Sequence, residues 1–192
     1  MENILLISDV MIKERTAIHG NIDPKLLYPD IKVAQDMYIL PILGSGLFFK
    51  MQQLISSRTI GDPVNVNYKT LLDIYIVDAL IYYTLSELPA TISYQFWNKG
   101  VMRKMGADTD LPTMSDLIDL SNHYRNRAEF YANRLRAYLQ QYAVQQFPEY
   151  YRPGFTIDTI YPDMNSFTIP VYLGEDDWCN NPGGFTNEGY KG

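Results

Sequence analysis

The stretch TMSDLIDLSNHYRNRAEFYANRLRAYLQQYAVQQF, Thr113 to Phe147, decides the fold. Its apolar and tyrosyl positions fall at Leu117, Tyr124, Ala128, Tyr131, Leu135, Tyr138 and Tyr142, a run of threes, fours and sevens interrupted only at Ser121. That spacing puts one stripe on one face of an α-helix. Thr113 is placed to cap the first turn, Asp116 stands three residues on, and Pro112 lies just outside. No glycine or proline follows until Pro148, so the helix can run for about 50 Å at roughly 1.5 Å per residue. Tyrosine stands where a plain bundle would use leucine. Its large ring and hydroxyl suit either a packed seam within the chain or contact with another protein surface.

Working toward the N-terminus, Leu71 to Leu88 is apolar on nearly every face, which suits the middle of a bundle or an oligomer. Pro89 is expected to stop it, and the segment beyond carries Tyr94, Phe96 and Trp97 close together. Earlier still, Asp23-Pro24 reads as a cap with proline in the first turn, and Leu27, Ile31, Ala34 and Tyr38 continue a helix. Pro41 and Gly44 are expected to end it, and a second short helix starts near Leu47. Met1 to Asn21 reads as an N-terminal arm with a short strand or helical turn, Ser8 or Asp9 being possible caps.

Past Pro148 the character changes. Pro153, Pro162, Pro170 and Pro182 exclude long helices. Phe155 to Tyr161 and Phe167 to Leu173 are β-prone runs that suit a hairpin or strands added to another chain's edge. The expected class is therefore mainly α: a small helical bundle with one long C-terminal helix, followed by an extended or short β-containing arm. The divisions are 1–21 for the N-terminal arm, 22–147 for the helical core and 148–192 for the C-terminal arm.

The 192 residues carry a net charge of −6, and sixteen tyrosines are more than catalysis would use. Residues 154–192 hold six acidic groups against one lysine. Capture of nucleic acid by a basic surface is not expected of such a chain. Cys179 is the only cysteine, which rules out an intrachain disulfide. No leader peptide and no membrane span are expected.

Candidate chemistry is sparse. Gly44-Ser45-Gly46 precedes a helix, where a phosphate could meet free amides, but there is no Gly-Lys-Ser or Gly-Lys-Thr run and a tight interhelix turn is the expectation. Asp108-Thr109-Asp110 has no further ligand at a recognised cation-loop spacing. Glu175-Asp176-Asp177 beside Trp178 reads as a solvated acidic turn or an interface anchor. His19 and His123 have no partner spacing for zinc, and Cys179 has no neighbouring base. Arg125, Arg127, Arg134 and Arg136 form a basic face that Asp116, Asp119 and Glu129 interrupt, which suits a salt-laced exterior or a polar subunit interface. No catalytic, cofactor-binding or metal-ligating residue is nominated, and no cofactor is expected. The residues nominated are interface residues: Tyr94, Phe96, Trp97, Tyr124, Tyr131, Tyr138, Phe155, Ile157, Phe167, Val171 and Trp178.

In Ile31 to Phe48, IKVAQDMYILPILGSGLF, a first helix runs to a proline, a Leu-Gly turn follows and another helix starts at once. With the apolar helix at 71–88 and the tyrosine-rich helix at 113–147, this order resembles the head-to-tail connector, or adaptor, proteins of tailed bacteriophages. The set most resembled comes from phages with podovirus-like tails that infect gut Bacteroidetes. The resemblance covers roughly residues 22–142 and departs between Pro89 and Pro112 and after Pro148.

The resemblance implies a structural virion protein at the head-tail junction, present in the host cytoplasm during assembly. It would form a homo-oligomeric ring of about twelve copies, bind the portal protein and the next tail or ring protein, and extend a DNA channel without binding DNA specifically. It implies no enzymatic activity and no membrane. A helical scaffold or regulatory binding protein acting as monomer or dimer is the alternative, and a small enzyme without a recognisable motif is the third.

Overall fold

The computed structural model describes residues 4–97, 100–103, 113–152 and 159–163, with backbone alone for 94–97 and 100–103. The chain is mainly α. The helices are α1 (Asp9–Arg15), α2 (Pro24–Ala34), α3 (Leu40–Ser56), α4 (Val66–Thr70), α5 (Val77–Ser93), α6 (Met114–Gln146) and α7 (Pro148–Tyr151). A two-stranded antiparallel ribbon, β1 (Tyr94–Trp97) and β2 (Gly100–Arg103), follows α5, pairing Tyr94 with Arg103 and Trp97 with Gly100.

Two π-helical segments join these pieces. Gln35–Ile39 links α2 to α3, and Leu71–Ile76 links α4 to α5. A π turn inserts a residue into the α repeat and rephases the buried face. The inward positions accordingly pass from Leu27, Ile31 and Ala34 to Ile39, Ile42 and Leu43. Gln35, fully buried, uses this register to hold the N-terminal segment: its Oε1 accepts from the Leu6 N–H at 2.8 Å and its Nε2 donates to the Ile4 carbonyl at 3.1 Å. Gln52 Nε2 donates to the same carbonyl at 2.8 Å. Leu6, Ile7 and Ile12 thereby join the core, so residues 4–15, set apart as an arm in the sequence, pack with the helices.

The helix α5 packs between α6 on one side and α2 on the other. Val77, Ala79, Leu80, Ile81, Tyr83, Leu85 and Leu88 are all buried. Pro89 does not end it. One further turn continues to Ser93, although proline contributes no amide and crowds the carbonyl four residues back. That turn is held by the Thr91 hydroxyl, which donates to Asp30 Oδ1 at 3.0 Å, and by Ile92 against the core.

At the other expected stop, Pro41 starts α3 and Gly44 breaks it without ending it, with φ 70° and ψ 160° inside an otherwise helical run. The 33-residue α6 starts on a reciprocal cap, in which Thr113 Oγ1 accepts from the Asp116 N–H at 3.2 Å and Asp116 Oδ2 accepts from the Thr113 N–H at 2.7 Å.

Candidate functional site

The face that α6 turns inward is made of Leu117, Ala128, Ala132, Leu135, Leu139 and Ala143. Three alanines on that face let α5 approach closely, and the tyrosines are displaced to its flank. There they stack across the helix pair. Tyr131 lies on Tyr82 at 5.3 Å and 7°, and Tyr138 on Tyr75 at 4.0 Å and 17°. Each stack adds about 0.5–1.5 kcal/mol beyond its burial. Arg127 and Arg134 cover the same tyrosines, their guanidinium carbons 6.0 Å from the Tyr82 ring and 5.1 Å from the Tyr75 ring. Arginines read as exterior charge thus act partly as lids on aromatic rings.

A second cluster ties α6 to the π segment after α2. Tyr38 stacks on Tyr83 at 4.2 Å and 6°, and its hydroxyl donates to Glu87 Oε1 at 2.7 Å while accepting from Arg125 Nη2 at 2.9 Å. Arg125 closes the triangle on Glu87 at 3.2 Å. Burial, and then the hydrogen bond to Glu87, push the Tyr38 phenol up to about 12. Burial likewise raises Tyr150 to about 12, and raises Tyr68, Tyr83 and Tyr138. These are protonated phenols in packing roles. Asp30 is the one strongly buried carboxylate among the described residues. Burial raises its pKa, the Thr91 hydroxyl opposes that, and its Oδ2 has no hydrogen-bond partner.

The third feature is the break at Gly44. The strap Thr159–Asp163 crosses it: Ser45 N–H donates to the Ile160 carbonyl at 2.9 Å, Ile160 N–H donates to Ser45 Oγ at 2.8 Å, and Asp163 N–H donates to the Pro41 carbonyl at 2.8 Å. Pro162 is buried against Gly44, where an added Cβ would stand 2.7 Å from the ring carbons Cγ and Cδ. The Gly44-Ser45-Gly46 turn is therefore an intrachain docking notch, and its Ser45 amide is engaged by the strap.

Of the nominated residues, Tyr131 and Tyr138 stack within the chain and Tyr124 is half-buried against the core. The backbone of Tyr94, Phe96 and Trp97 lies in β1. Phe155, Ile157, Phe167, Val171 and Trp178 lie outside the described residues, as do Asp108 to Asp110 and the acidic run at 175–177. His19 Nδ1 accepts from the Asn21 N–H at 3.2 Å. His123 lines an open surface hollow of about 440 Å³ with Asn126, Arg127 and Phe130. An apolar hollow of about 280 Å³ lies where Leu88, Pro89 and Ile92 of α5 meet Leu117, Leu120 and Tyr124 of α6. Among the described residues no group of three or more His, Cys, Asp or Glu is placed to hold a metal, and no helix is long and apolar enough to cross a membrane.

Sequence reasoning did not nominate Pro41, Ser45 or Pro162 as a unit. The available signal was a Gly-Ser pair between two proline-punctuated segments, which says that a turn forms there and nothing about what crosses it.

A family model described as a family of unknown function (DUF6712) matches residues 39–159, from just before the notch to the first residue of the strap. No curated protein and no solved structure matches the chain.

Proposed function

We propose that this chain, which belongs to the family of unknown function DUF6712, is a structural virion protein, a head-to-tail connector of a tailed bacteriophage. In this reading about twelve copies form a ring between the capsid portal and the tail. The ring extends the DNA channel and docks the next tail component, and the protein catalyses nothing.

The observation that carries the reading is the outward side of α6. Its inner face and tyrosine flank are committed to α5 and its π extension, yet Phe130 and Val144 remain 65% and 73% exposed at two levels of the same long helix. Large apolar groups held on a rigid rod suit contact with neighbouring copies. A closed ring needs two different faces that meet heterologously, and in this reading the exposed groups of α6 belong to one of them. The helix order, with a proline, a Leu-Gly break and an apolar helix ahead of the tyrosine-rich one, is the order on which the resemblance rests. The finer architecture, a bundle core over 22–147 with terminal arms at 1–21 and 148–192, belongs to this proposal, in which the arms link copies or reach the portal through their parts other than residues 4–15 and α7, which pack on the core. So do the aromatic residues of β1 and of the C-terminal segment as contact residues.

Electron microscopy of the purified chain, alone and mixed with the portal protein of its phage, tests it. Closed rings stacked on the portal are expected. Monomers or dimers that never bind the portal would remove the reading. The binding-protein alternative would then take its place, with the apolar hollow beside Leu117 and Tyr124 as its first candidate surface.

A further inference from the structure

Two of the three hydrogen bonds between the strap and the notch run from main chain to main chain. In an unbroken helix the Ser45 N–H would bond to the Pro41 carbonyl four residues back. Gly44 opens that turn, with φ 70°. The Ser45 N–H then donates to Ile160, and the Pro41 carbonyl accepts from Asp163. The two halves of one helical hydrogen bond are each answered by the strap, and the Ser45 hydroxyl adds a third bond through the Ile160 N–H. Between them Pro162 occupies the space that any side chain at position 44 would fill. Ile160 to Asp163 thus read the notch by strand-like pairing plus one shape-selected proline, the logic by which folded proteins recognise extended peptides.

We infer that the Gly44 notch is a peptide-recognition site for an extended Ile-Tyr-Pro-Asp segment, and that in the assembly it takes this segment from a second copy of the chain. Ile160, Pro162 and Asp163 make the same contacts with the notch whichever copy supplies them; this is the condition for exchange of an identical element between protomers. The strap follows the last core helix and is tied to Arg152 only through residues 153–158. Seven Cα steps separate Arg152 from Thr159, which allows about 25 Å at full extension, so a neighbour whose notch lies within that distance is reachable. Tyr161, between the engaged Ile160 and the buried Pro162, is 70% exposed and stands at the boundary such an exchange would create. The exchange rests on the assembly reading above; the notch as a recognition site does not.

Two full-length chains test it, both with Cys179→Ser to remove the native thiol. One carries Ser45→Cys and the other Ile160→Cys, and the pair is refolded together, oxidised and separated without reductant. The expected product is a dimer linked between positions 45 and 160, identified by mass spectrometry and lost when Gly44→Ala is added to the notch chain. A chain carrying both cysteines reports the contact itself through an intrachain or interchain 45–160 link. No 45–160 link in the mixture, or a link that survives Gly44→Ala, overturns the inference. Sedimentation of the same samples separates the two failures: assembled chains without the link refute exchange alone, whereas monomers without it refute exchange and assembly together.

Discussion

Replacing Gly44 with alanine should destabilise the protein by about 3–5 kcal/mol, a sum of two effects that the geometry separates. The first is backbone strain. At φ 70° and ψ 160° a residue with a Cβ occupies a region used essentially by glycine alone, at a cost of about 1–3 kcal/mol. The second is the strap. An added Cβ would stand 2.7 Å from Pro162 Cγ and Cδ and 3.0 Å from its nitrogen. A rigid ring cannot yield as the end of a flexible side chain would, so the strap must leave. Its departure forfeits three hydrogen bonds, worth about 0.5–1.5 kcal/mol each, along with the burial of Pro162. Once the strap has left, α3 can straighten and relieve part of the strain, so the two terms do not add in full. For a chain of this size each kcal/mol lowers Tm by about 2–4 °C, which places the expected fall near 10 °C. Thermal unfolding followed by circular dichroism measures the fall, and hydrogen exchange at the Ile160 and Asp163 amides, both donated by the strap, reports the strap directly. A double-mutant cycle with Pro162→Ala should show coupling of at least about 1 kcal/mol, because the two positions meet in one contact. A loss under about 1 kcal/mol with both amides still protected would refute the argument.

Asp30→Asn should stabilise the fold at pH 7, because burial raises the pKa of this carboxyl and its ionised form is the one penalised. The contribution of Asp30 is fully present below the ordinary carboxylate value and is lost as pH rises through the raised folded value. The advantage of the variant should therefore vanish in acid, and equal unfolding midpoints at pH 7 would contradict it. At the alkaline end Tyr38 and Tyr150 are held near 12, and Tyr68, Tyr83 and Tyr138 are also raised from the ordinary 10.0. Their stabilisation is intact below pH 10 and is lost as pH climbs toward 12, so phenolate absorbance should rise in two stages, the second coinciding with loss of helical circular dichroism; a single early stage with the fold intact would count against the buried seam. Leu139→Ala, which empties a fully buried position on α6, should cost about 2–5 kcal/mol in denaturant titration, while Tyr142→Ala on the flank should cost clearly less. Equal losses would mean that the tyrosine stripe, and not the alanine-leucine face, is the buried one.

The sequence by itself determined what depends on neighbours within a turn or two. Thr113 and Asp116 stand three residues apart, and that spacing alone specifies the reciprocal cap. Ser8, Asp23 and the apolar run through α5 are legible for the same reason: a cap or a buried stripe is written in consecutive residues. The tertiary structure decided which face of α6 is buried, placing Ala132, Leu139 and Ala143 inside and the tyrosines on the flank. Alanine carries little hydrophobic signal, and its value appears only when a facing helix comes close enough to use its small size. The fate of Pro89 was decided in the same way, by Asp30 and Thr91 meeting 61 positions apart. So was the notch, whose Ser45 and Ile160 are 115 positions apart. A Gly-Ser pair announces a break in a helix through its own backbone freedom, but the groups that answer the break come from wherever the fold brings the chain back, and no local pattern records that return.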